Sequence, residues 1–143
     1  MKIYLAGPLF SEAERDWMKK LKGQIESRAA KSASKVKVIW SYELITQEEI
    51  DALGESAKRE IFSRCKAHLE DSDLVIAVLD GSQVDDGTAW EIGYFSALKH
   101  GKIIGIRTDF RRAGESEMAV VNAMIECSCD RIVRSTGELL KTF

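Results

Sequence analysis

Proline occurs once, at Pro8, and glycine only ten times in 143 residues, so the sequence has no linker-like stretch and no low-complexity tail. Cysteine is scarce and odd in number: Cys65, Cys127 and Cys129. Two of them are spaced C-x-C, and only His68 and His100 could supplement them, neither at ligand spacing from another. That argues against a disulfide framework or a tetrahedral zinc site and for free structural thiols. Long hydrophobic runs are missing too. The longest, Leu74 to Leu79, has six residues, whereas a bilayer span needs about 20, and the N-terminus lacks the basic-then-apolar profile of a secretory signal. Neither sign of charge dominates. Lys and Arg total 21 and Asp and Glu 23, a net charge of −2, without the basic excess expected of a nucleic-acid binder. These absences argue against polynucleotide, membrane and metal-cluster roles. They leave the expectation of one compact cytoplasmic domain, residues 1–143, in which 45% hydrophobic residues suffice for a sizeable core.

What is present alternates between strand and helix. Lys2 to Ala6 is a β-branched and aromatic run that stops at Gly7-Pro8, and Ser11-Glu12-Ala13-Glu14 fits a capping box for a helix over about 12–30 with Trp17, Leu21 and Ile25 on one stripe. Val36 to Trp40 predicts a second strand, 41–50 a loop, and 50–70 one helix with Ile61, Cys65 and Leu69 aligned. Leu74 to Leu79 is the strongest strand, continuous and apolar as a central parallel strand must be. After the loop 80–87, a helix is expected over 88–100, a strand over 102–107, a helix over 115–126, a short edge strand over 131–133 and a last helical turn over 137–141. The pattern implies an α/β fold, a Rossmann-like or flavodoxin-like doubly wound parallel sheet of about five strands with helices on both faces. In such sheets ligands bind beyond the carboxyl ends of the strands, at a switch in strand order.

Three segments leave predicted strand ends: 7–10, 80–91 and 108–114. The middle one is densest in acids, with Asp80, Asp85 and Asp86, flanked by Asp73 at the entrance of its strand and Glu91 in the following helix. Neither Asp80-Gly81-Ser82-Gln83 nor Asp86-Gly87-Thr88-Ala89 has the closely spaced glycines of a phosphate-binding loop, so a nucleotide cofactor held by its phosphates is disfavoured. Asp80, Asp85 and Asp86 are oxygen donors of the kind that hold a metal, but surface loops are often acidic for solubility alone. Glu91 has two readings. Thr88-Ala89-Trp90-Glu91 fits a capping box, in which Glu91 merely ties off a helix start. Alternatively, a carboxylate in the first turn of a helix is held ionised by the macrodipole and suits a nucleophile. Asp85 would then be the second carboxyl of a retaining glycosyl-transfer pair.

The stretches Ile3-Tyr4-Leu5-Ala6-Gly7-Pro8-Leu9-Phe10, Asp71-Ser72-Asp73-Leu74 through Asp80-Gly81, and Asp85-Asp86-Gly87-Thr88-Ala89-Trp90-Glu91-Ile92-Gly93-Tyr94 resemble the nucleoside 2-deoxyribosyltransferase family. The last of these is far more specific than a capping box. The resemblance implies that Glu91 is the nucleophile that attacks C1′ of a 2′-deoxyribonucleoside, that Tyr4 orients it, that Asp85 handles the proton of the base, and that Asp73 is a further acid near the site. It implies substrate contacts from Gly7, Phe10, Asp80, Gly87 and Thr88, with Asn122 and Met124 on a segment in which Asn122 reaches a neighbouring subunit's sugar 5′-hydroxyl. No metal or organic cofactor is implied, and the partners are 2′-deoxyribonucleosides, nucleobases and further copies of the chain in a homodimer or dimer-based oligomer.

An amide at Asn122, with only Thr88 near Glu91, points to nucleosides over nucleotides as substrates. Ser11, Arg107 and Arg111 are the remaining candidates for a phosphate contact. Trp17 and Trp40 read as packing residues. Trp90 lines the base pocket or supports its helix, and Phe10 stacks on a base or simply packs. The rival readings are an N-glycosidase hydrolysing nucleosides or nucleotides on the same scaffold, a non-catalytic nucleotide-sensing module, and a phospho-receiver domain. The last needs an acidic pair after the first strand, where this chain has Gly7-Pro8-Leu9-Phe10.

Overall fold

The structure is a computed structural model and describes residues 1–32 and 35–143. Five strands, β1 (Lys2–Ala6), β2 (Lys37–Trp40), β3 (Leu74–Val78), β4 (Lys102–Ile106) and β5 (Arg131–Val133), pair in parallel in the order β2-β1-β3-β4-β5. This is the expected doubly wound α/β sheet. After β1 the chain adds β2 on one side and then returns across β1 to add β3 on the other, so the strand order reverses between β1 and β3. A crevice opens at such a point beyond the carboxyl ends of the two strands. All five residues of β3 are buried, as its unbroken apolar run requires.

The alternation of side chains along a strand decides which residues face which helix layer. Ile3, Leu5, Ile76 and Val78 point to the face covered by α1 (Glu12–Lys31) and α6 (Thr136–Leu140), together with Met18, Leu21, Ile25 and Leu139. Tyr4, Ala6, Val75 and Ala77 point to the opposite face, packed with Leu69 of α3 (Ala57–Glu70) and with Ile92 and Phe95 of α4 (Asp86–Leu98). The even parity of Tyr4 therefore turns its ring toward α3 and α4. The capping box at the start of α1 forms as expected, with Glu14 N donating to Ser11 Oγ and Ser11 N to Glu14 Oε2 at 2.7 Å.

Three segments differ from the sequence expectation. The single helix over 50–70 is two, α2 (Gln47–Leu53) and α3, because Gly54 adopts φ +53 and ψ −124, a conformation that breaks the helical path. The loop over 41–50 contains a 3₁₀ turn (Ser41–Glu43) and the first turn of α2, started by a capping box between Thr46 and Glu49. The helix over 115–126 shrinks to α5 (Ala123–Glu126). There the acids serve the loop backbone instead: Glu126 accepts from the amides of Val120 and Val121, and Glu115 from that of Ala123. No helix among the described residues is long and apolar enough to cross a membrane.

Gly54 supplies a direct check on the α2–α3 break. Nothing lies within 4 Å of the position a Cβ would take, so Gly54→Ala introduces conformational strain without a clash. We expect a loss of about 1–3 kcal/mol in a thermal or denaturant melt.

Candidate active site

A cavity of about 790 Å³ opens at the β1–β3 crevice. From the loop after β1 come Gly7, Leu9 and Phe10; from α4 and the residue before it come Asp85, Gly87, Thr88 and Glu91; Ile61 and Cys65 of α3 form one wall and Arg15 and the segment 41–50 another. A Cβ on Gly7 would lie 2.7 Å from Met18 Cε and 3.0 Å from Val78 Cβ, so a larger residue here would have to displace the end of the Met18 side chain.

The centre of the site is a contact between a strand and a helix. Tyr4 is fully buried, and its hydroxyl donates to Glu91 Oε1 at 2.5 Å. Glu91 is not a capping residue. The N-cap of α4 is Asp85, whose Oδ2 accepts from both the amide and the hydroxyl of Thr88, each at 2.8 Å. Helix α4 thus starts earlier than the expected Thr88, and Glu91 sits in its second turn with its carboxyl free for Tyr4. Its environment also reverses the expected electrostatics. Burial, reinforced by the nearby negative charge of Asp85, outweighs the hydrogen bond from Tyr4 and pushes Glu91 from the ordinary 4.5 up to about 7. The helix dipole does not keep it strongly acidic. Tyr4 is in turn pushed well above the usual phenol range by burial and by the adjacent Glu91.

Other expected site residues divide by location. Gly7, Phe10, Asp85, Gly87 and Thr88 converge on the cavity with Glu91 and with Tyr4 behind it. Asp73 does not. It lies at the amino edge of the sheet, where Oδ2 accepts from Lys2 N at 2.7 Å, and β1 separates it from the cavity by about 13 Å at 3.3 Å per residue. Asp80 is also absent from the cavity lining, because its carboxylate is committed to the loop after β4: it accepts from Thr108 N, Thr108 Oγ1 and Asp109 N. Asn122 and Met124 are exposed on the chain's own surface, Asn122 capping α5 through Met124 N. None of the three phosphate candidates lines the cavity. Ser11 caps α1, Arg111 pairs with Asp109, and the fully buried Arg107 donates to the carbonyls of Leu79, Gly81 and Arg111. Trp90 stands outside it as well, stacked on Tyr94 at 4.9 Å and edge-on to Phe62. Asp80, Asp85 and Asp86 do not converge, and the described residues contain no group of three or more His, Cys, Asp or Glu placed to hold a metal ion.

Sequence reasoning missed the wall built by 41–50 and by α3. The first follows β2, and the rule that sites form beyond strand ends applied there as well as to the other three strands. Cys65, expected to be only structural, interacts with the Tyr4 hydroxyl, and burial pushes its thiol up. The signal was the stripe Ile61, Cys65, Leu69, a helix face that runs from the cleft into the core.

The sequence profile of the nucleoside 2-deoxyribosyltransferase family matches residues 3–124, a span that includes Tyr4, Asp85 and Glu91. The chain belongs to this family. The family match points to an enzyme of the deoxyribosyltransferase kind. An uncharacterised Ureaplasma parvum protein is 36% identical over 118 residues, 78% of this chain and 72% of that protein. Among solved structures, a conserved protein from Enterococcus faecalis superposes with a TM-score of 0.75 at 26% identity, covering 99% of this chain and 95% of that one. The fold is shared with a 2-deoxyribosyltransferase from Bacillus psychrosaccharolyticus, with a TM-score of 0.78 at 20% identity over 98% of this chain and 90% of that one. It is also shared with a CMP N-glycosidase from Clostridium botulinum, with a TM-score of 0.61 at 17% identity over 99% and 97% of the two chains.

Two measurements test the site. A carboxyl-detected NMR titration should show Glu91 with a midpoint near 7. Tyr4→Phe should raise it further, because the lost hydrogen bond favours the ionised form. The linked stability has the same sign. With its folded value near 7 above an ordinary 4.5, the chain is most stable below about 4.5 with respect to this group and loses that contribution as pH rises through 7. Asp73→Asn keeps an oxygen acceptor for Lys2 N, and its kcat/KM should stay within about twofold of the parent in any turnover assay, as expected for a residue remote from the reacting atoms.

Proposed function

We propose that the protein transfers 2-deoxyribose from a 2′-deoxyribonucleoside to an acceptor base by double displacement, with retention at C1′. The observation that carries this reading is the carboxyl of Glu91 facing the cavity with its orientation held by Tyr4, and a second carboxyl, Asp85, on the same helix start. In the first step an oxygen of ionised Glu91 bonds to C1′ as the bond from C1′ to the base nitrogen breaks. The electron pair leaves with the base, which takes a proton from Asp85 or from water held there. The product is an ester of deoxyribose on Glu91. In the second step a nitrogen of the incoming base attacks C1′, the ester bond breaks, Glu91 is released as carboxylate, and the proton lost by the incoming base returns to Asp85. Two inversions give net retention.

A value near 7 suits this cycle. The carboxylate is a better leaving group than a stronger base and a better nucleophile than an unperturbed acid, and about half of it is ionised at neutral pH. Asp85 has one oxygen committed to Thr88, while Oδ1 has no hydrogen-bond partner among the described residues. Asn122 and Met124 act, in this reading, from a neighbouring subunit of a dimer, since neither lines the chain's own cavity. Closure by that neighbour would help the acceptor base outcompete water.

Two linked experiments test the proposal. Incubation with a 2-fluoro-2-deoxyribosyl nucleoside should add one fluorosugar to the protein, located at Glu91 by peptide mass spectrometry. Glu91→Gln should lower turnover by roughly three orders of magnitude or more while raising thermal stability at pH 8, where the parent buries a charge. Deoxyinosine supplied with guanine should yield deoxyguanosine. Release of free deoxyribose without deoxyguanosine would assign the hydrolytic N-glycosidase reaction instead, and an adduct elsewhere would overturn the role of Glu91.

A further inference from the structure

Arg15 is the one cation among the described residues that line the cavity, and the reaction above gives it no task. Its Nη1 donates to the carbonyls of Leu9 and Phe10, at 3.0 Å each. Those two bonds fix the plane of the guanidinium against the loop after β1. The Nε–Nη2 edge, two parallel N–H donors and the N–H beyond them, has no acceptor among the described residues. Nearby carboxylates are committed elsewhere: Glu14 accepts from the amides of Phe10 and Ser11, and Glu43 pairs with Lys22. The guanidinium carbon stands 5.8 Å from the centre of the Tyr42 ring, and Tyr42, Phe10 and Ile45 line the cavity with it.

This wall lies on the β2 side of the crevice, whereas Glu91 and Asp85 enter from the β3 side. With the sugar at Glu91, the wall across from it offers two aromatic rings, aliphatic side chains and one planar fork of donors. That is a slot for a flat, apolar-faced ring with acceptors on its edge. A dianionic phosphate fits poorly, since Glu43, Asp85 and Glu91 outnumber the single cation.

Building on the deoxyribosyl reading, we propose that Arg15 determines base specificity, its free edge pairing with O6 and N7 of a 6-oxopurine. Deoxyinosine and deoxyguanosine are then preferred to deoxyadenosine. The adjacent acceptors O6 and N7 match the spacing of a guanidinium fork, as they do where arginine reads guanine. Adenine places its N6 amino group where O6 would be, so a donor meets a donor and a desolvated N–H is left unpaired.

The test compares kcat/KM for deoxyinosine, deoxyguanosine and deoxyadenosine in the parent, Arg15→Met and Arg15→Lys proteins, with base release followed by chromatography. The parent should favour the two oxopurine nucleosides by roughly 10- to 100-fold. Arg15→Met should bring the ratio within about threefold, mainly by raising KM for the oxopurines, and Arg15→Lys, which keeps the charge but not the fork, should fall between. A variant that merely disturbed the 7–10 loop would lose all three substrates alike, and that result, or a parent without preference, overturns the proposal. Absence of turnover on any deoxynucleoside would bring down the deoxyribosyl reading along with it.

Discussion

A single hydrogen bond, from the Tyr4 hydroxyl to the Glu91 carboxyl, ties the active-site helix to the central sheet. It exists because two independent periodicities agree. The two-residue alternation of β1 turns Tyr4 to the face that α4 covers, and Asp85 starts that helix at a point that brings Glu91 round in its second turn to meet it. Were α4 to begin at Thr88, Glu91 would be drawn to its own helix end. Asp85 is thus a positioning device for the helix as well as an acid beside the cavity, and the buried Thr88 is what holds it in that double role.

The charge arithmetic acquires a different meaning in three dimensions. A net charge of −2 spread over the surface says little, and the acids clustered around one stretch of sequence are scattered by the fold. Asp73 goes to the amino edge, Asp80 to the loop after β4, and Asp85 and Glu91 to the cleft. In the cleft the charge of Asp85 adds to burial in raising Glu91, in a partly dry setting where the ionised form of Glu91 is hard to sustain. Burial, more than the count of acids, sets the chemistry.

The strands were legible in the sequence because parallel strands buried on both faces leave continuous apolar runs, as at Leu74 to Leu79. The alternation of strand and helix implied a parallel doubly wound sheet with a crevice at a switch in strand order, but not the order of the strands itself. The central motif marked Glu91, and Tyr4 could be paired with it only through a resemblance, since no local pattern links positions 87 residues apart. Less legible were features set by side chains acting on distant backbone. The break at Gly54 depends on one residue's conformation and the short α5 on acids that bond to amides, while Asp73, legible as the entrance of its strand, was joined to the site only by the resemblance, although that entrance is the edge away from the cavity.

Arg107 sets a further constraint. Its guanidinium, with no access to solvent, donates to the carbonyls of Leu79 and Gly81 after β3 and of Arg111 after β4, and no carboxylate among the described residues pairs with it. The two loops are clasped at one point of fixed reach, so the constraint falls on their lengths more than on their side chains. A residue inserted between Leu79 and Gly81, or between Arg107 and Arg111, would move a carbonyl out of range and strand a charge in the interior. The segment 41–46 is held less deeply, by the partly exposed Arg64, which donates to the carbonyl of Leu44 and shares its charge with Glu49 and Glu60. Insertions and deletions that remodel the mouth of the cleft can accumulate on the β2 side, while the β3–β4 side keeps its spacing and with it the placement of α4.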